Sequence, residues 1–145
     1  MRGSLSGVRH IGIYVSDLEA MKHFYMNCFG FKEKSSAMEG GDYLESLLSV
    51  PRISLENSKL IDQNGMILEL LKTHAKYENN HSNSVCWLGC MHIAFTVSNA
   101  EVMRSRIIKM GGEPLSDCLI SPDDRAKVFF CKDPEGNYLE VVEEI

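Results

Sequence analysis

The chain has 145 residues, of which 44% are hydrophobic, 24% charged and 8% aromatic, with a formal net charge of −5. That length suits one compact domain with a real core, and the composition excludes a disordered, collagen-like or coiled-coil chain. There is no Lys/Arg-rich run for nucleic acid, no apolar stretch near the roughly 18 residues that cross a bilayer, and no apolar signal core in the opening MRGSLSG.

A cytoplasmic protein is therefore the expectation. Five cysteines occur, Cys28, Cys86, Cys90, Cys118 and Cys131. Their odd number and irregular spacing fit reduced thiols. Cys86 and Cys90, beside His92, have the look of a zinc half-site, but no second Cys pair completes it.

In chain order, the first predicted element is a strand in HIGIYV, residues 10–15. It alternates with a period of two, so Ile11, Ile13 and Val15 share one face and His10, Gly12 and Tyr14 the other. The aliphatic face calls for a helix, and the histidine face suits an open concave surface. A helix follows, with Ser16 and Glu19 matching the S-x-x-E capping box. Leu18, Met21, Phe24 and Tyr25 recur at helical spacing, and Gly30 stands where a C-terminal glycine belongs. Strands are predicted near Glu45–Val50, Ile53–Ile61 and Met66–Leu71.

A polar connector, THAKYENNHSNSVCWLG (residues 73–89), comes next. Beyond it the same order returns. HIAFTV (92–97) puts Ile93, Phe95 and Val97 opposite His92, Ala94 and Thr96. Ser98 and Glu101 repeat the capping box, and Gly111-Gly112 closes the helix. Strands are predicted near Leu115–Ile120, Lys127–Cys131 and Tyr138–Val142, with KDPEGN (132–137) as a turn.

The likeness is an internal repeat. At an offset of 82 residues His10 falls on His92, Ile11 on Ile93, Val15 on Val97, Ser16 on Ser98, Glu19 on Glu101 and Met21 on Met103. NGMILELLK echoes EGNYLEVVE at an offset of 71, matching Gly65 to Gly136, Leu68 to Leu139 and Glu69 to Glu140. One domain, 1–145, is thus predicted as two strand–helix–strand–strand–strand modules, about 5–72 and 90–145, an α+β fold. Two copies are too few for a solenoid, so the modules pair.

Glu69 and Glu140 each sit inside an apolar strand, where an unpartnered carboxylate is costly. Each module supplies one His from its first strand and one Glu from its last. Paired by pseudo-twofold symmetry, His10, Glu69, His92 and Glu140 converge on one point, a donor set for a divalent transition metal. His23 on the helix reads as a surface residue, and His74 and His81 as solvated connector residues. Arg125 and Lys127 of SPDDRAK are either solvated salt-bridge formers or contacts for an anionic substrate.

These motifs resemble the vicinal oxygen chelate superfamily, which holds glyoxalase I, methylmalonyl-CoA epimerase, extradiol dioxygenases, and fosfomycin- and bleomycin-resistance proteins. The resemblance is carried by HIGIYVSDLEAMKHFYMNCFGFK (10–32), NGMILELL (64–71), MHIAFTVSNAEVM (91–103) and KDPEGNYLEVVE (132–143). It implies two βαβββ modules forming a cupped mixed sheet around a metal, with His10, Glu69, His92 and Glu140 in the four metal positions. The full set looks most like glyoxalase I. Extradiol dioxygenases and fosfomycin-resistance enzymes use three of the positions, and epimerases carry Gln where Glu69 stands.

By that resemblance the chain is a lyase, isomerase or epimerase acting on a small substrate with adjacent oxygens. A divalent ion (Ni, Co, Zn, Mn or Fe) binds those oxygens and stabilises an enediolate. Glu140 is the first choice for the base that removes the α-proton, and Glu69 the second. Tyr14 and Thr96, on the two histidine faces, are expected to touch substrate. A homodimer is expected, with the site within one chain or across two. Two rivals remain: an Fe(II) extradiol-type dioxygenase, which Glu69 would crowd, and a non-catalytic small-ligand-binding protein of the same fold.

Overall fold

The computed structural model describes residues 6–74 and 89–145, which fall into two compact units divided near residue 76. The first contains β1 (Ile11–Tyr14), α1 (Leu18–Phe29), β2 (Lys32–Gly40), α2 (Asp42–Leu48), β3 (Ser54–Ile61) and β4 (Ile67–Thr73). The second contains β5 (His92–Thr96), α3 (Ala100–Lys109), β6 (Glu113–Pro114), β7 (Leu119–Ile120), β8 (Ala126–Lys132) and β9 (Tyr138–Glu144). The fold is α+β with two mixed sheets, ordered β1-β4-β3-β2 and β5-β9-β8-β6, with β7 also pairing β8. None of the described helices is long and apolar enough to cross a membrane.

The repeat governs the ladders. β1 runs parallel to β4 and β5 parallel to β9, while β3–β4 and β8–β9 are antiparallel. Each parallel pair ends on the same contact, Val15 N–H to the Leu71 carbonyl and Val97 N–H to the Val142 carbonyl, both 2.8 Å. α1 packs on β2, β3 and β4 and buries Leu18, Met21, Phe24, Tyr25 and Cys28. Leu60, Leu68 and Leu70 are also fully buried. In the second unit α3 packs on β6, β8 and β9, where Leu139, Val141, Phe129 and Cys131 are buried. Removing apolar surface from water, worth about 25 cal/mol per Å², is what drives these faces together.

Both helices start one residue later than the capping boxes predicted. The N-caps are Asp17, whose side chain accepts from Ala20 N–H at 3.0 Å, and Asn99, which accepts from Val102 N–H at 2.9 Å. Asp and Asn cap at least as well as Ser, so Ser-Asp and Ser-Asn offered two candidates each. With the helix shifted, Glu19 pairs with Lys22 at 3.0 Å. Gly30 caps α1 in the left-handed conformation, as expected. Its repeat partner Gly112 serves differently. A Cβ there would stand 2.5 Å from Ile107 Cγ2 and 2.9 Å from the Lys132 carbonyl, so only glycine lets α3 and β8 approach.

The first module departs from prediction between residues 32 and 50. The strand predicted at Glu45–Val50 is helix α2, and the strand lies earlier, as β2. Every residue of β2 is exposed, so KEKSSAMEG shows no buried alternation for a periodicity argument to find. It is an edge strand held by its ladder to β3, with a bulge between Glu33 and Ser35. Its charges suit an unpaired edge. DYLESLL consists largely of good helix formers, and Leu44 packs with Ile53, Leu55, Val50 and Leu71. In the second module, only Leu119–Ile120 of the strand predicted at Leu115–Ile120 is strand, as β7, and β6 lies before that range at Glu113–Pro114.

Candidate metal centre

The strand pattern decides which side chains can meet. Leu68 and Leu70 go to the α1 side of β4, so Ile67, Glu69 and Leu71 occupy the other face. In β9 Leu139 and Val141 are buried, so Tyr138, Glu140 and Val142 face the other way. The histidine faces of β1 and β5 are those that the sequence predicted, exposed at His10, Gly12 and Tyr14 and at His92, Ala94 and Thr96.

On each of these faces a histidine meets a glutamate. His10 Nε2 lies 3.1 Å from Glu69 Oε2, and His92 Nε2 lies 3.2 Å from Glu140 Oε2. An imidazole–carboxylate hydrogen bond has the same length, but donors about 2.1 Å from one metal ion also stand roughly 3.0–3.4 Å apart at octahedral to tetrahedral angles. The pairs therefore have the separation of adjacent ligands, and the donor types suit a divalent transition ion. Within either unit, no group of three or more His, Cys, Asp or Glu side chains gathers among the described residues. Each unit offers one His–Glu pair.

The repeat extends to a second pair of acidic residues. Asp62 and Asp133 are also related by the offset of 71, and they build the same turn. Asp62 Oδ1 accepts from Asn64 and Met66 N–H, while Asp133 Oδ1 accepts from Glu135 and Asn137 N–H. Gly65 and Gly136 complete these turns at φ of 87° and 91°, a region costly for other residues. Each aspartate stands seven residues before a site glutamate. The turn sets the start of β4 and β9, and so sets the face on which Glu69 and Glu140 emerge.

The two sites differ at their third strand. Opposite Glu69, β3 carries Lys59, with Nζ 3.5 Å from Glu69 Oε1. Opposite Glu140, β8 carries Phe130, whose ring centroid is 5.1 Å from that of His92. Glu69 is only 9% exposed. Beside Lys59, buried Asn57 donates to Glu39 on the same face. Tyr138, across the parallel ladder from His92, is 7% exposed, and its hydroxyl is the sole buried side-chain polar atom among the described residues with no partner. The repeat puts Ile67 at the matching place. None of Lys59, Asn57 and Tyr138 stood out in the sequence, because the repeat highlights what is shared and these residues are where the modules differ.

Tyr14 and Thr96 lie exposed on the histidine faces, as expected. Lys127 shares the face of Phe129 and Cys131, opposite to Phe130 and Glu140, because strand alternation puts it beside Glu143 on the α3 side. Arg125 is exposed in the turn before β8, five residues from Phe130 and so roughly 16 Å along the strand. Neither joins the His92–Glu140 pair. His23 Nδ1 contacts the Asn27 amide on α1, and His74 pairs with Glu56 at 3.1 Å, so neither takes part. Cys28, Cys90, Cys118 and Cys131 form no disulfide among the described residues. Cys86 and His81 lie outside the described residues.

Residues 7–141 match the Glyoxalase/Bleomycin resistance protein/Dioxygenase superfamily. The chain belongs to this superfamily. Among solved structures it is similar to a glyoxalase family protein from Bacillus cereus, with 19% identity and a TM-score of 0.91, covering 99% of this chain and 97% of that one. It is also similar to the fosfomycin resistance protein FosX from Listeria monocytogenes, crystallised with Mn(II) and sulfate, with 18% identity, a TM-score of 0.64, and coverage of 98% and 95%. A glyoxalase family protein from Enterococcus faecalis matches with 21% identity, a TM-score of 0.66, and coverage of 95% and 98%. At these identities the likeness is one of fold. No curated protein matches in sequence.

Proposed function

We propose that this glyoxalase-superfamily protein is a divalent-metal-dependent lyase or isomerase, with His10, Glu69, His92 and Glu140 as ligands. The observation that carries the reading is the recurrence of one His–Glu pair, at 3.1 Å and 3.2 Å, on equivalent strands of both units. One such pair is an ordinary hydrogen bond. Two at matched positions, each with a carboxylate set into an apolar strand, are a donor set. When bound, the ion would supply Lewis acidity and a grip on two adjacent substrate oxygens.

The residues divide the remaining work. The imidazoles and carboxylates leave their Nε2 and Oε2 atoms facing one another, which orients them before any ligand arrives. Glu140 Oε1 has no charged partner within ion-pair distance among the described residues, and it is our choice for the base. It takes a proton from the carbon α to a carbonyl and returns it to the same or the neighbouring carbon, so no atom is gained or lost. Tyr14 and Thr96 offer hydroxyls on the same faces for substrate contact.

Protein purified, stripped and reloaded with Mn, Ni, Co, Zn or Fe should retain one ion per chain. Manganese comes first, since the FosX of similar fold is crystallised with it. Metal-loaded protein should then exchange solvent protons into α-carbonyl compounds with a second adjacent oxygen. Absence of stoichiometric metal would overturn the reading.

A further inference from the structure

Glu69 and Glu140 are equivalent in the repeat but not in their surroundings. The β3–β4 ladder sets Lys59 beside Glu69, and the β8–β9 ladder sets Phe130 beside Glu140. Lys59 Nζ stands 3.5 Å from Glu69 Oε1, and His10 Nε2 stands 3.1 Å from Glu69 Oε2. Both oxygens of Glu69 are engaged. Glu140 meets His92 through Oε2, and at the place of the lysine its ladder partner is Phe130.

The difference has a physical consequence. A carboxylate as buried as Glu69 needs its charge met, and Lys59 meets it on the side away from His10. With Oε1 tied to an ammonium, Oε2 is left aimed at the imidazole. A group that ties the outer atom of a ligand orients its inner atom, and its loss typically weakens metal binding 10–100-fold. An exposed ion pair with no such role contributes little to anything.

We propose that Lys59 is a positioning residue: it fixes Glu69 as a ligand and breaks the equivalence of the two modules. This inference rests on the metal-site reading above. It does not follow from the repeat, which offers the two glutamates as equals.

Titration of the full chain with Mn(II) alone, followed by calorimetry, tests it in five proteins: unsubstituted, Lys59→Met, Lys59→Arg, Glu69→Gln and Lys59→Met/Glu69→Gln. Lys59→Met should weaken binding about tenfold, and Lys59→Arg should restore most of the loss. Once Glu69 is Gln, removing Lys59 should cost nothing more, because its effect passes through the carboxylate. If Lys59→Met does not fold, judged by circular dichroism, Lys59→Gln gives the same reading. Affinity of the Lys59→Met protein within about twofold of the unsubstituted one, or an undiminished loss in the Glu69→Gln background, would overturn the inference while leaving the metal site standing. Failure of the unsubstituted protein to bind Mn(II) or the other ions overturns the site and the inference together.

Discussion

Gly12 stands directly opposite Glu69 in the parallel ladder between β1 and β4, as Ala94 stands opposite Glu140 between β5 and β9. In both units the residue two beyond the histidine is small. A Cβ at Gly12 would lie 3.4 Å from Leu71 Cδ1 and 3.8 Å from Glu69 Oε2. The small residue leaves the space through which the glutamate reaches its histidine. Gly12→Ala should therefore bind metal nearly as the unsubstituted protein does. Gly12→Leu, which fills that space, should lose about tenfold or more. Calorimetric titration of both variants checks the contrast, and equal affinities would refute it.

His10→Ala and His92→Ala should each reduce retained metal to background after dialysis, measured by elemental analysis. His23→Ala, on α1, should leave occupancy unchanged, since its ring contacts Asn27. Full occupancy in His10→Ala would remove that residue from the ligand set.

The two aspartate turns should be unequal in stability. Asp133 is 2% exposed and accepts three hydrogen bonds, from Glu135 and Asn137 N–H and from the Asn137 side chain. Asp62 accepts two. Replacing Asp133 by Ala strands two half-buried amides, at about 1–3 kcal/mol, whereas replacing Asp62 strands one half-buried amide, Met66, and one exposed amide, Asn64. Urea unfolding should show the larger loss for Asp133→Ala.

Tyr138→Phe should be neutral or slightly stabilising in the ligand-free protein. The hydroxyl is buried without a partner, and removing an unpaired group relieves a desolvation cost of order 1 kcal/mol. Thermal unfolding measures this directly. A clear destabilisation would mean that the hydroxyl has a partner in solution.

Acid should loosen the tie between α1 and β2. The Ser36 hydroxyl, then Lys22, hold the Glu33 carboxyl below the usual carboxylate range. Its folded form thus prefers the charged state, so it stabilises the fold above the ordinary carboxylate value. That contribution is lost as pH falls through the lowered folded value. The Lys22 ammonium is opposed by burial but is raised overall by its bonds to Glu19 and Glu33, so it stays charged across this window. Glu33→Gln should flatten this part of the acid limb in urea unfolding followed against pH. An unchanged acid limb would show that the carboxyl carries no such stabilisation.

The sequence alone determined the repeat, the α+β class, the faces of β1, β4, β5 and β9, and the His–Glu partnership. Each follows from short-range rules: alternation within a strand puts Glu69 opposite Leu68 and Leu70, and an apolar strand makes its carboxylate conspicuous. The same rules misread Glu45–Val50 as a strand and missed β2. β2 has no buried face, and only its long ladder to β3, 14 or more residues away along the chain, holds it extended.

Tertiary structure alone decided what stands beside each glutamate. Lys59 reaches Glu69, and Phe130 reaches His92, through ladder registers that no local pattern specifies. Register depends on where a turn begins, here on Asp62 and Asp133. A shift of one residue would have turned Lys59 away from Glu69 and erased the difference between the two halves.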